Sequence, residues 1–128
     1  MPIRVVRLGS ARAKGEGLRL GTVRRPPRGV PKSEHASRDF YDVWVPDLAP
    51  SEPLVKQALG ASDPQAWSAF TRRYRAEMKR PAASRLLALC AALSHGTSIS
   101  VGCYCEDETR CHRSILRELL LEHGADVV

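Results

Sequence analysis

The sequence predicts a small single α/β domain over residues 1–128, with a mixed, mostly parallel sheet flanked by helices. The chain has 128 residues, which is enough for one hydrophobic core but not for two. Its 43% hydrophobic and 27% charged residues are typical of globular proteins and exclude a wholly disordered chain. Strand-like segments come first, helical segments follow, and a strand–turn–helix unit comes last. This order favours a sheet in which the last strand is central and parallel to the first.

Extended segments account for most of the first third of the chain. The segments Ile3–Leu8 and Leu18–Val23 are rich in β-branched and apolar residues, and each predicts a strand. The next segment, Arg24–Pro31, contains three prolines and a glycine, which exclude a helix and predict a stiff loop. Phe40–Val45 predicts a third extended segment.

The middle of the chain is helical according to its capping residues and apolar spacing. Ser51 is the expected cap of a first helix over Glu52–Leu59. Asp63 and Pro64 start a second helix, as cap and first-turn proline, and Pro81 starts a third. The second helix carries an apolar face at spacings of three and four residues, which predicts core positions at Trp67, Phe70, Tyr74 and Met78.

The C-terminal third predicts a functional site at a strand-to-helix turn. Thr97–Cys105 reads as a buried strand, Glu106–Thr109 as an acidic turn, and Cys111–His123 as an amphipathic helix that Gly124 closes. Ligands of open α/β sheets bind beyond the carboxyl ends of the strands. A helix N-terminus there adds free N–H groups and the positive end of the helix dipole.

The residue types around this turn predict an anion site, with a phosphate-bearing small molecule or a nucleotide as the expected ligand. An arginine supplies a forked, permanently charged donor, and a serine supplies a hydroxyl. The arginine loop 24–28 also follows a strand, so parallel pairing brings it to the same edge of the sheet. The expected ligand-binding residues are Arg24, Arg28, His112, Arg113 and Ser114.

The distribution of charge also points to an anionic partner. Residues 1–40 hold ten Lys and Arg against three acids, a net of +7, whereas residues 41–128 hold ten against eleven, a net of −1. Nucleic acid is therefore an alternative partner. The low aromatic content, 5%, argues against a base-stacking platform of the single-strand-binding type. Solvated arginines that only keep the protein soluble are the simplest reading of the same charge.

Three cysteines near the turn predict a second alternative, a thiol-dependent enzyme or redox protein that uses Cys103, Cys105 and Cys111. Thiols at helix N-termini beside cationic groups ionise most readily. The catalytic candidates are Cys103, Cys111 and His112. Neighbouring helical residues point in different directions, so Cys111 and His112 are not expected to pair directly. Cys103 or Cys105 is expected to face His112 instead.

The same cluster leaves two further readings open. Cys103, Cys105, Cys111 and His112 are ligands that zinc accepts, but the usual spacing of two to four residues between cysteines is missing. No cofactor or metal is therefore predicted, and zinc remains the alternative. In a purely structural reading, Arg113 and the loop arginines form ion pairs with Asp42, Asp47 or Glu106.

The chain carries no predicted membrane or export segment. It has no apolar run of eighteen residues, and its first residues lack the apolar region of a signal peptide. The expected location is the cytoplasm, where the cysteines stay reduced, with no membrane partner. The sequence leaves the oligomeric state open.

Two motifs resemble one known family over nearly the whole chain. Cys103, seven intervening residues and Cys111-His112-Arg113-Ser114 resemble the C-terminal signature of the domain-of-unknown-function 488 family, which includes the YeaO-like proteins. The stretch Gly21–Gly29 resembles the arginine- and proline-containing loop of that family. The resemblance implies a bacterial or archaeal α/β protein with one compact domain.

The resemblance also implies which site residues are shared. The positions that match the family's motifs are Cys103, Cys111, His112, Arg113, Arg24 and Arg28. Cys105 departs from the pattern, since many relatives have an acidic residue there. The YeaO-like branch can replace the cysteines of the Cys-His-Arg triplet while it keeps the histidine. The resemblance therefore favours His112 and the arginines as the shared chemistry.

Overall fold

The computed structural model describes residues 2–60 and 63–128, which form one four-stranded sheet and four α-helices. The strands are β1 (Ile3–Arg7), β2 (Leu18–Gly21), β3 (Val43–Trp44) and β4 (Ile99–Cys103). The helices are α1 (Glu52–Leu59), α2 (Pro64–Glu77), α3 (Pro81–Leu93) and α4 (His112–Glu122). The predicted α/β fold is confirmed.

The sheet has the order β1-β4-β2-β3, and all three of its strand pairs are parallel. The last strand, β4, therefore lies between the first two, as the sequence predicts. All five of its residues are buried, from Ile99 to Cys103. Because the strands are parallel, Arg7 at the end of β1 lies beside Cys103 at the end of β4. The end of β2 adjoins the same edge, with Gly21 opposite Gly102.

All four strands are shorter than the sequence predicts. The first ends at Arg7, the second at Gly21 and the fourth at Cys103. The third keeps only Val43–Trp44 of the predicted Phe40–Val45, because Tyr41 turns inward and packs over Gly21. A β-carbon at Gly21 would lie 2.3 Å from the Tyr41 ring, so only glycine allows this contact.

The helices begin where the capping residues predict. The Asp63 carboxylate accepts a hydrogen bond from the Ala66 N–H at 2.8 Å, which caps α2. Ser51 precedes α1, but its side chain forms no capping hydrogen bond. Its backbone N–H donates instead to Glu77 Oε1 at 2.9 Å, so the expected side-chain cap is wrong.

The main core lies between the sheet and the helices. Phe70 and Tyr74 of α2 and Met78, the residue that follows the helix, are buried there, as predicted, and Trp67 packs against them. Helix α4 contributes Leu116 and Leu120, both fully buried. None of the helices in residues 2–60 and 63–128 combines the length and the hydrophobicity needed to span a bilayer. A second, smaller cluster lies at the carboxyl edge of the sheet and contains Leu8, Val23, Tyr41, Cys103 and Cys111.

Candidate functional site

A cysteine cluster lies where β4 ends and α4 begins. A short 3-10 helix, Glu108–Arg110, connects the two elements. The Asp107 carboxylate accepts hydrogen bonds from the Thr109 N–H at 3.0 Å and the Thr109 hydroxyl at 2.6 Å, which orders the connection. Cys111 occupies the capping position of α4, yet its side chain makes no capping bond. The thiol is therefore free to turn into the interior, where Cys111 is 3% exposed.

Three thiols and one imidazole meet at this point. The Sγ atoms of Cys103 and Cys105 lie 3.8 Å apart, and Cys111 Sγ lies 3.7 Å from Nδ1 of His112. The ligand atoms of Cys103, Cys111 and His112 all lie within 4.8 Å of one another. Of these four residues only Cys105 is exposed. The cluster can therefore hold a metal ion or supply a thiolate.

The direct contact between Cys111 and His112 differs from the sequence prediction. The prediction assumed that both residues are helical, but Cys111 has extended backbone angles, φ −126° and ψ 151°. This geometry directs its thiol back toward the imidazole. Cys103 also faces His112, as expected.

The hydrogen bonds of His112 fix which ring nitrogen is available. Nε2 lies 2.7 Å from the Thr22 carbonyl, which only accepts, so Nε2 carries the proton and donates. Nδ1 then keeps its lone pair for Cys111 or for a metal ion. The ring is 7% exposed and lies edge-on to Tyr74, with centroids 5.6 Å apart. The imidazole is thus both buried and oriented.

Arg113 places a buried positive charge next to Cys105. It is 3% exposed, and its Nη2 donates to the Cys105 carbonyl at 2.5 Å. Its Nε is buried without a hydrogen-bond partner in the structure. Among residues 2–60 and 63–128, no carboxylate forms an ion pair with it. Glu106 pairs with Arg7, and Asp42 pairs with Arg12, so the ion pairs expected for Arg113 in the structural reading do not form with these two acids.

The other predicted ligand-binding residues, Arg24, Arg28 and Ser114, each have different contacts. Arg24 donates to the carbonyls of Pro46, Ala49 and Pro50, at 3.1, 3.2 and 2.9 Å, and so holds the segment before α1. Arg28 is exposed. Ser114 donates its hydroxyl to the Cys111 carbonyl at 3.0 Å.

The backbone of the arginine loop does contact the cysteine cluster region. The Thr22 carbonyl binds His112, and the Tyr104 hydroxyl donates to the Arg25 carbonyl at 2.9 Å. The loop therefore lies beside the start of α4. The side chain of Arg25 instead contacts Glu52.

The pKa values of the three thiols shift in different directions. Hydrogen bonding to Cys105 and Cys111, together with burial, raises the pKa of Cys103 far above that of a free thiol. Hydrogen bonds from Cys103 and Cys111, and the charge of Arg113, lower the pKa of Cys105 to about 3. A hydrogen bond from Cys103, followed by the influence of His112, lowers the pKa of Cys111. Cys103 therefore holds its proton more tightly than a free thiol does, and Cys105 ionises most readily of the three.

Sequence reasoning missed two residues of this site. Thr22 was read only as part of a strand, yet its carbonyl orients His112. Tyr74 was predicted as core, and it also contacts the imidazole. The position of Thr22 after a strand parallel to β4 was the available signal, because parallel strands end at one edge.

The fold and the site define a small α/β domain with a thiol, imidazole and guanidinium cluster at a strand-to-helix turn. A family model, DUF488-N3a, described as the active DUF488-N3 subclade, matches residues 3–124. The chain belongs to the DUF488 family, as the sequence motifs predict. No curated protein and no solved structure matches the chain.

Proposed function

We propose that the chain is a thiol-dependent enzyme that acts on an anionic small molecule, such as a phosphate-bearing metabolite or a nucleotide. A thiolate of the cysteine cluster is the nucleophile. The start of α4, with Arg113, forms the anion site. The reducing cytoplasm is the environment in which these cysteines stay free thiols.

One observation carries this proposal, namely the buried Arg113 guanidinium, whose charge acts on the Cys105 thiol and which forms no ion pair with a carboxylate among the described residues. A buried charge without compensation costs several kcal/mol, on the order of the penalty for desolvating an ion. A thiolate or a bound anion removes that cost. The site can therefore accommodate a negative charge closer to Arg113 than the exposed Asp107 carboxylate lies.

The imidazole supports a catalytic role for the cluster. Thr22 holds the Nε2 proton of His112, so Nδ1 can accept a proton from Cys111. A nucleophile, a base and a group that orients the base form the general arrangement of activated thiol and hydroxyl catalysis. In this proposal the catalytic residues are Cys103, Cys111 and His112, and the exposed Cys105 is the neighbouring thiolate.

The test is the rate at which each cysteine is alkylated by iodoacetamide between pH 5 and pH 9, read by peptide mass spectrometry. We expect rapid labelling of a cluster cysteine below pH 7, because its thiolate is stabilised. Cys90 is an internal control, since its burial in the core raises its pKa and slows its labelling. Arg113→Met is expected to move the fast reaction to higher pH, and Arg113→Lys to move it less.

A second readout addresses the anion. Phosphate, pyrophosphate and nucleoside monophosphates are expected to raise the melting temperature of the wild-type protein. Phosphate and pyrophosphate, which lack a base, are expected to have no effect on Arg113→Met. Slow and uniform labelling of all cysteines, together with an equal anion response in both proteins, would refute the proposed function.

A zinc ion in the same cluster is the second candidate. In a tetrahedral site the Zn–S and Zn–N distances are about 2.3 and 2.0 Å, which places neighbouring donors about 3.6–3.8 Å apart. The observed 3.8 Å between Cys103 and Cys105 and 3.7 Å between Cys111 and His112 match these values for two donor pairs, and the ligand atoms of Cys103, Cys111 and His112 lie within 4.8 Å of one another. The hydrogen bond from Nε2 of His112 to the Thr22 carbonyl is also the arrangement that metal-bound histidines adopt.

The two candidates make opposite demands on the thiols, because a ligand thiolate bound to zinc is not a free nucleophile. Native mass spectrometry beside the denatured mass separates them. An excess of one zinc, lost on denaturation and absent from Cys111→Ser, would favour the metal. A bare mass with fast alkylation would favour the thiol enzyme.

A further inference from the structure

A groove separate from the cysteine cluster lies between the loop after β2 and the start of β3. Its volume is about 440 Å³, within the range of small-molecule sites. Its walls include Pro26, Val30, Lys32, His35, Tyr41 and Trp44. It shares only Tyr41 with the smaller core cluster that contains Cys103 and Cys111.

Trp44 gives this groove an exposed aromatic surface in a fixed orientation. The residue is 43% exposed, although it lies in the edge strand β3. Its indole Nε1 donates to the Val23 carbonyl at 2.8 Å. The hydrogen bond holds the ring in place, so a ligand that stacks on it does not have to order it first.

The inner wall of the groove is equally constrained. Tyr41 is 4% exposed and meets His35 edge-on, with ring centroids 5.1 Å apart. His35 is 8% exposed and donates from Nε2 to the Val30 carbonyl at 3.2 Å. The sequence offers no sign that His35 is buried. The groove is therefore formed before any ligand binds.

The charges around the groove favour an anion. Its acidic wall residue, Asp42, is already engaged, since it accepts two hydrogen bonds from Arg12 at 2.8 and 3.2 Å and one from the Arg19 N–H. Lys32 lines the groove and is exposed, and Arg28 is exposed between the lining residues Pro26 and Val30. Within residues 2–60 and 63–128, no carboxylate pairs with either cation.

We infer that this groove binds a nucleoside monophosphate. The base stacks against Trp44, and the phosphate lies by Lys32 and Arg28. A planar, uncharged ring joined to an anion is the ligand chemistry that a fixed indole recognises when an exposed lysine lines the same groove and an exposed arginine lies in the adjoining loop. One exposed indole and a volume of about 440 Å³ suit a single nucleotide rather than a strand. The inference does not depend on the thiol chemistry.

The test compares AMP with its two halves, adenosine and ribose 5-phosphate, by isothermal titration calorimetry and by quenching of tryptophan fluorescence. AMP is expected to bind and to quench, adenosine to bind more weakly, and ribose 5-phosphate not to quench. Trp44→Ala is expected to lose about tenfold or more in AMP affinity, the effect of one lost stacking contact. Trp44→Phe retains an aromatic ring and is expected to retain most of the affinity, which separates stacking from misfolding.

The cations are tested by the double variant Arg28→Ala with Lys32→Ala. It is expected to weaken AMP but not adenosine, and to remove the dependence of AMP affinity on salt. Lys56→Ala, an exposed cation on α1, is the matched control and is expected to leave AMP affinity unchanged. Cys111→Ser is also expected to bind AMP normally, so failure of the thiol proposal does not affect this result.

Three results would overturn the inference. The first is equal AMP binding by the wild type and Trp44→Ala. The second is binding of oligonucleotides without binding of AMP, which would identify a strand as the occupant. The third is self-association that Trp44→Ala abolishes without any nucleotide binding, which would identify a second copy of the chain as the occupant.

Discussion

Arg19 and Arg113 are both buried, at 0% and 3% exposure, yet their surroundings differ completely. Arg19 donates from Nε and Nη2 to the Glu16 carboxylate, at 2.7 and 2.9 Å. Its Nη1 donates to the carbonyls of Ser10 and Asp39, at 2.8 and 2.7 Å. Arg113 has one carbonyl partner, a buried Nε without a hydrogen-bond partner, and the Cys105 thiol nearby.

The difference separates a structural arginine from a functional one. The charge of Arg19 is neutralised by Glu16, which is itself 3% exposed, so the pair joins the loops at the sheet edge without any ligand. Arg113 forms no close ion pair among the described residues, and the exposed Asp107 carboxylate interacts with it only over a longer distance. A thiolate or a bound anion is therefore what can balance its charge at close range. Burial alone therefore does not identify the functional residue, whereas unused hydrogen-bonding capacity does.

The largest expected effect on stability comes from breaking the buried pair of Arg19 and Glu16. Arg19→Met leaves the Glu16 carboxylate buried without its partner, so we expect a loss of about 3–5 kcal/mol in the free energy of unfolding. Urea denaturation measures it. Adding Glu16→Leu to Arg19→Met is expected to recover part of the loss, because no uncompensated charge then remains.

The carboxyls of Glu16 and Asp42 make the stability of the fold depend on pH. Burial alone raises the pKa of Glu16 and of Asp42, but hydrogen bonds from Arg19 and Arg12 respectively outweigh it, so both pKa values lie below their ordinary values. Carboxyls of this kind stabilise the fold fully above their ordinary pKa values, 4.5 and 3.8. The contribution is lost as pH falls through the lowered values.

Unfolding free energies measured from pH 7 down to pH 3 are expected to stay level at first and then fall below about pH 4.5. The decline is expected to be shallower in the double variant Glu16→Leu with Arg19→Met. A wild-type free energy of unfolding that stays constant down to pH 3 would contradict the stabilising role of the Glu16 and Asp42 carboxylates.

Replacing Arg113 is expected to change the free energy of unfolding much less than replacing Arg19. Arg113→Met loses one hydrogen bond, worth about 1 kcal/mol, and removes an uncompensated buried charge. We expect its free energy of unfolding to change by less than about 1.5 kcal/mol, far less than that of Arg19→Met. Equal losses in the two variants would mean that Arg113 is a structural residue as well.

The smallest expected effect belongs to an exposed arginine with two carboxylate partners. Arg75 bridges Glu118 and Glu122, each at 2.8 Å, on the surface between α2 and α4. Arg75→Ala is expected to cost about 0.2–1 kcal/mol, because water and salt screen exposed pairs. The cost is expected to shrink further in 0.5 M salt. If Arg75→Ala lost as much stability as Arg19→Met, burial would not explain why the two ion pairs differ.

Local signals in the sequence predicted much of the fold. The Asp63-Pro64 pair located the start of α2, and the spacing of Phe70, Tyr74 and Met78 located its buried face. The strand–turn–helix signature located the cysteine cluster. These features depend on neighbours close in sequence, so the pattern alone determines them.

Contacts between distant segments were beyond the sequence. In β2, Leu18 is 54% exposed while Arg19 is fully buried, the reverse of what hydrophobicity suggests. The partners of Arg19 lie in two loops that only the folded sheet brings together. Similarly, the extended backbone of Cys111, not its place in the motif, allows its contact with His112.

The central position of β4 has a consequence for how the chain folds during synthesis. β1 and β2 do not pair with each other, and the strand that joins them begins only at Ile99. A ribosome must therefore release most of the chain before β1 can enter the sheet. The cysteine cluster is assembled in that same late step, because Cys103 ends the joining strand. Sheets that depend on contacts between distant segments fold slowly and expose unpaired strand edges, so a nascent chain halted before residue 99 lacks both the sheet and the site.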